Sequence, residues 1–227
     1  MRRTNDSKSQ ISNVKSQMDK GTVIILNGTS SSGKTSIVRA LQEVLDEPYL
    51  DAGIDKFLFM LPKRYLDEPL WHQVFDYLYA DPVARTGLSI KAGPMGRQVI
   101  AGMHRSIAAL AHAGNNVIVD HVLLERGWLK ECVEVLADFR VWFVGVRCPL
   151  AVVEQRERER RDRTLGQARA QFDQVHAHGV YDLEVDTSIS SPMDCALQIK
   201  RRMEDGSCPQ AFHLLAEKLA QDSDGQV

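Results

Sequence analysis

The sequence lacks a long apolar run: nothing in it approaches the roughly 20 consecutive apolar residues of a membrane helix, so a soluble chain with no membrane partner is expected. It also lacks an excess of either charge. With 28 Lys and Arg against 30 Asp and Glu, the formal net charge is −2. The basic surplus usual in nucleic-acid binders is missing, and no nucleic-acid partner is expected. Cysteine is scarce. Cys132, Cys148, Cys195 and Cys208 are too dispersed for a C-x-x-C pair, which speaks against a thiolate metal site and for reduced thiols in a cytoplasmic protein. The N-terminal stretch carries basic residues but no apolar segment of the kind found in secretory signals.

What is present is enough apolar material, 44% of 227 residues, for one well-buried core. Residues 1–20 are polar and without apolar periodicity, and read as a disordered arm. From residue 21 to 204 short β-branched runs alternate with stretches of helical spacing, followed by a tail, 205–227, expected to be partly helical. "TVIILN", "NNVIVDHV" and "RVWFVGVRC" are continuous apolar runs of the kind buried on both faces of a sheet. "PYLDAGIDKF" brings the chain to a further strand end, and "YDLEVDTS" reads as a last short strand. "KTSIVRALQEVLD", "MGRQVIAGMHRSIAALAHAG", "PLAVVEQRERERRDRT", "GQARAQFDQVHAH" and "SPMDCALQIKRRMED" read as helices. This order predicts an α/β fold, a parallel sheet with helices on both faces.

Between "VIILN" and the first helix lies Gly28-Thr29-Ser30-Ser31-Ser32-Gly33-Lys34-Thr35-Ser36, which satisfies G-x-x-x-x-G-K-[ST] at every defined position. The two glycines permit backbone angles and close approaches that a Cβ would block. The loop amides then form an anion nest at a helix N-terminus. Lys34 is placed to reach the β- and γ-phosphates of ATP, and Thr35 to offer its hydroxyl to Mg²⁺. The motif's required context, strand before and helix after, is present. A Gly/Ser turn that merely contains GK is the bland alternative.

A P-loop does not by itself separate kinases from GTPases or motors. N-K-x-D is absent, as are a D-x-x-G after a strand and an ABC-type signature, and the chain is short for a motor. A small-molecule kinase remains, with a requirement for a base near the acceptor hydroxyl and an arginine-rich lid over the phosphates.

Both are found in segments that together resemble the chloramphenicol phosphotransferase-like family: "ILNGTSSSGKTSIVRALQ", "GIDKFLFMLP", "AGNNVIVDHVLL", "WFVGVRCPLAVVEQRERERRDRTLGQA" and "HGVYDLEVDTS". The resemblance runs from about Val23 to Ile199. It implies an adenylate-kinase-like P-loop fold with a mobile Arg-rich lid and ATP-dependent phosphorylation of a drug hydroxyl. It also implies that Asp55 is the catalytic aspartate. A carboxylate there would accept the hydroxyl proton and orient the oxygen for in-line attack; the competing account is an N-cap for the helix starting near Lys56. Asp120, closing "NNVIVD", stands where a Walker B-type carboxylate holds Mg²⁺, directly or through water; its alternative is a polar strand end. His121 beside it is left outside the catalytic set.

The lid is assigned to residues 154–168. At helical spacing Arg156, Arg160 and Arg163 share one face, and the resemblance places Arg160 and Arg163 at phosphate-contacting positions. Glu154–Arg158 and Glu157–Arg161 pairs would brace the same helix. Thr187 or Ser188 either begins a loop near adenine or merely closes a strand before an N-cap at Ser191. Residues 57–93, with Trp71, His72, Phe75, Tyr77 and Tyr79, are expected to form a helical segment bordering the acceptor. The expected activity is transfer of the γ-phosphate of ATP to a hydroxyl of a small organic molecule, with chloramphenicol or a related antibiotic among the candidates. A kinase of a metabolic intermediate and a nucleotide-binding regulatory or toxin-like protein are the alternatives. The sequence does not choose between monomer and homo-oligomer.

Overall fold

Strand β1, Val23–Asn27, is buried at all five positions, and the fold is organised around it. A computed structural model describes residues 20–84, 86–160 and 164–224. The N-terminal arm, but for Lys20, and Arg163 lie outside them. On either side of β1 run β5, Asn116–His121, and β6, Val141–Arg147, both parallel to it. β2, Tyr49–Asp51, and β7, Leu183–Asp186, complete a five-stranded parallel sheet of order β2-β5-β1-β6-β7.

Side chains alternate across the sheet. Val23 and Ile25 of β1 join Val117 and Val119 of β5 and Phe143 of β6 on one face. Ile24 and Leu26 join Ile118, Trp142 and Val144 on the other. Helices cover both faces, which is why the central strands read as unbroken apolar runs. Helices α1, Lys34–Val44, and α7, Pro192–Glu204, pack on the second face through residues such as Ile37, Leu41, Cys195 and Ile199. The first face is covered by α2, Ile54–Leu58, α3, Pro94–His112, and α4, Arg126–Leu136. The segment 154–168, expected to be a lid, spans the end of α5, Leu150–Glu159, and the start of α6, Gln167–Val175.

Helix α8, Ala211–Asp224, gives the tail a larger part than a partly helical appendage. Ala211, Phe212, Leu215 and Leu219 enter the first-face core, and the Phe212 ring meets Phe143 edge-on at 5.3 Å. Asp182 Oδ1 accepts from the amides of Gln210 and Ala211, which secures the start of this helix.

Residues 57–93 differ from the helical segment expected there. After α2 and two short 3₁₀ turns the chain forms an antiparallel hairpin, β3, Phe75–Asp81, and β4, Thr86–Ala92. The apolar spacing that fits a helix over 70–78 also fits period two from Phe75 onward. Phe75, Tyr77 and Tyr79 share one face and pair with Ala92, Ile90 and Leu88. Aromatic residues favour strands when a partner strand is available. Among the described residues no helix is long and apolar enough to cross a membrane, and all four cysteines are free thiols.

Candidate active site

The loop from Gly28 to Gly33 turns sharply between β1 and α1. A Cβ on Gly28 would lie 2.6 Å from the Val146 carbonyl oxygen, so the loop can hug β6 only without a side chain there. Ser31 has φ 61° and Gly33 φ 94°, left-handed conformations that turn successive amides into a common concavity. Gly33 is the N-cap of α1 and supplies no side-chain cap. The first amides of that helix therefore remain available to an anion. The Ser31 and Ser32 hydroxyls are buried without a hydrogen-bond partner, a cost that an anionic ligand with many acceptor oxygens would offset.

Two contacts hold this loop from behind. The Ser30 amide donates to Gln171 Oε1 of α6 at 2.6 Å. The Thr187 hydroxyl donates to the Ser32 carbonyl at 2.7 Å while accepting from Arg156 Nη1. Lys34 is buried, its Nζ donating to the carbonyls of Gly28 and Thr29 and lying 3.6 Å from Asp120 Oδ1. Thr35 donates its hydroxyl to Asp120 Oδ2 at 2.6 Å. These are hard oxygen donors at the mouth of an anion nest, and they fit Mg²⁺. That ion keeps several waters and takes one or two protein oxygens beside substrate phosphates.

Lys34, Thr35, Ser36 and Asp120 line a cavity of about 510 Å³ together with Ser30, Ser31, Gly33, Asp55 and Arg160. Thr29 and Ser32 are buried beside it in the loop wall. Asp55 is not a helix cap: the N-cap of α2 is Gly53, in extended conformation. The residue that closes β2 is instead Asp51, which accepts from the Gly53 amide and pairs with Lys56 at 3.2 Å. Asp55 stands in the first turn of α2 and lines the same cavity as Lys34 and Asp120.

The helical argument for the lid arginines does not hold past residue 159. Helix α5 ends at Glu159, and Arg160 is extended, with φ −87° and ψ 112°, so Arg156 and Arg160 do not share a helical face. Arg160 borders the cavity. Arg156 is instead bound to Thr187, with Nη2 on its carbonyl at 2.8 Å. Glu157 is buried and accepts from the amides of Gly166 and Ala168, capping α6 across the lid loop. Glu154 pairs with Arg169 of α6 rather than within its own helix. Ser191 caps α7 in a reciprocal capping box with Asp194, and Thr187 adds the clamp on the loop.

The far wall of the cavity is apolar and aromatic. Trp71, Phe75, Tyr77 and Trp128 line it, along with Ile54, Leu58, Val122 and Leu124. The Trp71 and Phe75 rings are 5.6 Å apart, and Phe75 meets Trp128 edge-on at 6.3 Å. Trp128, Gln171 and the Thr187 clamp carried no sequence signal beyond ordinary helix or strand periodicity.

Near the site lie several neutral rings, half-buried at His176, His178 and Tyr181 and buried at His104 and His121. Asn27, the last residue of β1, donates to the Val175 carbonyl and to the Tyr181 hydroxyl, both at 2.8 Å. His176 Nδ1 and the Tyr181 hydroxyl are 2.6 Å apart. Burial, with Arg147 nearby, lowers His176 to about 3 and His178 to about 4. Burial likewise raises the Tyr181 phenol. His104 is lowered by burial, against the opposing pull of Glu131, and His121 well below the ordinary range by burial, His104 and Lys34.

The chain belongs to the family described as chloramphenicol phosphotransferase-like protein, whose profile matches residues 21–204. A protein of Mycobacterium tuberculosis that carries the provisional description O-phosphotransferase is 34% identical over 205 residues, 89% of this chain and 91% of that one. Among solved structures, the fold is similar to that of the M. tuberculosis APS kinase in complex with AMPPNP and APS, with a TM-score of 0.56 and 16% identity over 82% of this chain and 98% of that one. It is also similar to the Acinetobacter baumannii shikimate kinase in complex with shikimate, with a TM-score of 0.54 and 15% identity over 84% and 97%. The architecture is thus a P-loop kinase fold.

Proposed function

We propose that the protein is an ATP- and Mg²⁺-dependent kinase that moves the γ-phosphate to a hydroxyl of a small organic molecule with an aromatic or apolar body. Chloramphenicol and related antibiotics are the first candidates, which would give the protein a role in antibiotic resistance. The observation that carries this reading is the one cavity that the P-loop set, Lys34, Thr35 and Asp120, lines together with Asp55 and the aromatic residues Trp71, Phe75, Tyr77 and Trp128.

In this proposal the residues take these roles. The amides of the loop and of the first turn of α1 receive phosphate oxygens, and Lys34 exchanges its carbonyl partners for them. Thr35 and Asp120 hold the metal, which when bound neutralises charge on the phosphates. Asp55 orients the acceptor hydroxyl and takes its proton as the oxygen attacks in line. Arg160, and Arg163 with it, stabilise the charge spread over the transferring group. The aromatic wall excludes water from the acceptor side. Four free thiols with no disulfide among them support a cytoplasmic location.

The deciding experiment incubates the protein with MgATP and a panel of hydroxylated compounds, chloramphenicol included, and looks by mass spectrometry for addition of one phosphoryl group. Transfer to a single small molecule is the expected result. Nucleotide binding with transfer to none of them would favour a regulatory role.

A further inference from the structure

His104 of α3 and His121 at the end of β5 are both fully buried, and their Nε2 atoms lie 2.9 Å apart. All four ring nitrogens are engaged. His104 Nδ1 is 3.2 Å from Glu131 Oε2 of α4, and His121 Nδ1 accepts from the Val122 amide at 2.8 Å. That last bond decides the protonation of the rest. A nitrogen that accepts an N–H carries no proton, so neutral His121 holds its proton on Nε2. It then donates to a bare His104 Nε2, and His104 holds its proton on Nδ1, donating to the Glu131 carboxylate. Glu131 is itself fixed by Arg105, which donates to its other oxygen.

What this buried chain delivers toward the site is one acceptor atom, His121 Nδ1, aimed at the first amide after β5. The second amide of the same loop, Leu123, donates to Asn27 Oδ1 at 2.9 Å. Glu125 Oε1 accepts from the Ala92 amide at the end of the hairpin. The loop thus begins one residue after the metal-side Asp120, and three bonds anchor it: to His121 at the end of β5, to Asn27 of β1, and from its own Glu125 to the hairpin end. Its residues Val122 and Leu124, with Trp128 just beyond, form acceptor wall. Burying two imidazoles is costly unless they are bonded, and apolar residues would fill the same space without orienting anything.

We propose that Glu131, His104 and His121 form a positioning chain that fixes the Val122–Trp128 wall of the acceptor pocket. The acceptor in this statement rests on the kinase reading; the anchoring of the loop does not. His121 acts through Val122 and touches neither nucleotide nor acceptor.

The test compares wild type with His104→Leu, which breaks the chain at similar volume, and with His104→Gln. The glutamine can accept from His121 with its oxygen and donate to Glu131 with its nitrogen. Amide exchange is followed at residues 121–128, with MgATP affinity measured alongside. His104→Leu is expected to speed exchange at Val122 by about tenfold or more, as for one lost buried hydrogen bond. MgATP affinity should stay within about twofold, because the P-loop is untouched. His104→Gln is expected to return exchange to within about threefold of wild type. With the compound that wild type phosphorylates in the panel above, KM for the acceptor should rise in His104→Leu while KM for ATP does not. Unchanged exchange in His104→Leu, identical behaviour of the two variants, or a loss confined to MgATP affinity would each overturn the proposal. A wild-type protein that does not bind MgATP would instead overturn the kinase reading, with the exchange comparison still readable.

Discussion

The Thr35 hydroxyl donates to Asp120 Oδ2 across 2.6 Å, joining the first turn of α1 to the penultimate residue of β5. This bond crosses the floor of the cleft at the point where a P-loop protein assembles its metal site, and Lys34 lies 3.6 Å from the other Asp120 oxygen. Asp120→Ala should raise the Mg²⁺ concentration needed for half-maximal activity by at least about tenfold, in line with the loss of a metal-supporting carboxylate. A titration of turnover against Mg²⁺ at saturating ATP reads this directly, and an unchanged Mg²⁺ requirement would remove Asp120 from the metal site.

Lys34→Ala should cut phosphoryl transfer by at least about a hundredfold, the scale of losing one preorganised electrostatic contact to the transition state. Its Nζ bonds the carbonyls of Gly28 and Thr29 in its own loop and approaches Asp120. The fold should therefore survive, with a cooperative melt in circular dichroism as the check. Wild-type turnover in this variant would rule out P-loop catalysis.

Asp55→Asn separates chemistry from structure. Because Gly53 caps α2, losing the charge at residue 55 removes no cap, and the first-turn helix-dipole contribution it gives up is about 0.3–1 kcal/mol. As a base it should matter far more, slowing turnover by about a hundredfold or beyond with ATP affinity retained. Turnover and melting curves of Asp55→Asn, measured together, show which holds; full activity would pass the role of base to another group.

Arg160 lies just beyond the end of α5 in extended backbone and lines the cavity. Arg160→Ala should lower kcat by about tenfold or more while ATP affinity and melting temperature change little. A shift in melting temperature with kcat intact would show a structural contact instead.

Stability should fall on the acid side. His176 and His178 titrate at about 3 and about 4 in the folded protein, against about 6.5 when unfolded. Between those limits the unfolded chain binds more protons, so stability is fully present above about pH 6.5 and is lost as pH falls toward 3. Melting temperature measured from pH 7.5 to 4.5 should decline below about 6.5, and His176→Asn should flatten the decline. A pH-independent melt across that range would contradict the neutral, buried state of these rings.

The sequence by itself determined the features whose causes are local. An apolar run of four residues, a loop whose glycines permit special backbone angles, and a lysine and threonine at fixed offsets are legible because chain neighbours impose them. The same holds for the Ser191 cap and for the alternation of strands and helices. Tertiary structure decided everything that required a distant partner. Phe75–Tyr79 became a strand because Leu88–Ala92 was there to pair with it. Helix α5 stopped at Glu159, and Glu157 caps α6, while its expected partner Arg161 lies outside the described residues. Lys34 was drawn into the loop by carbonyls that only the folded turn presents. Asp55 and Asp120, 65 positions apart in the chain, face one cavity only because β2 and β5 pair in parallel. Contacts of that kind leave no period or spacing in the sequence, since their energies come from groups that meet only once the sheet has closed.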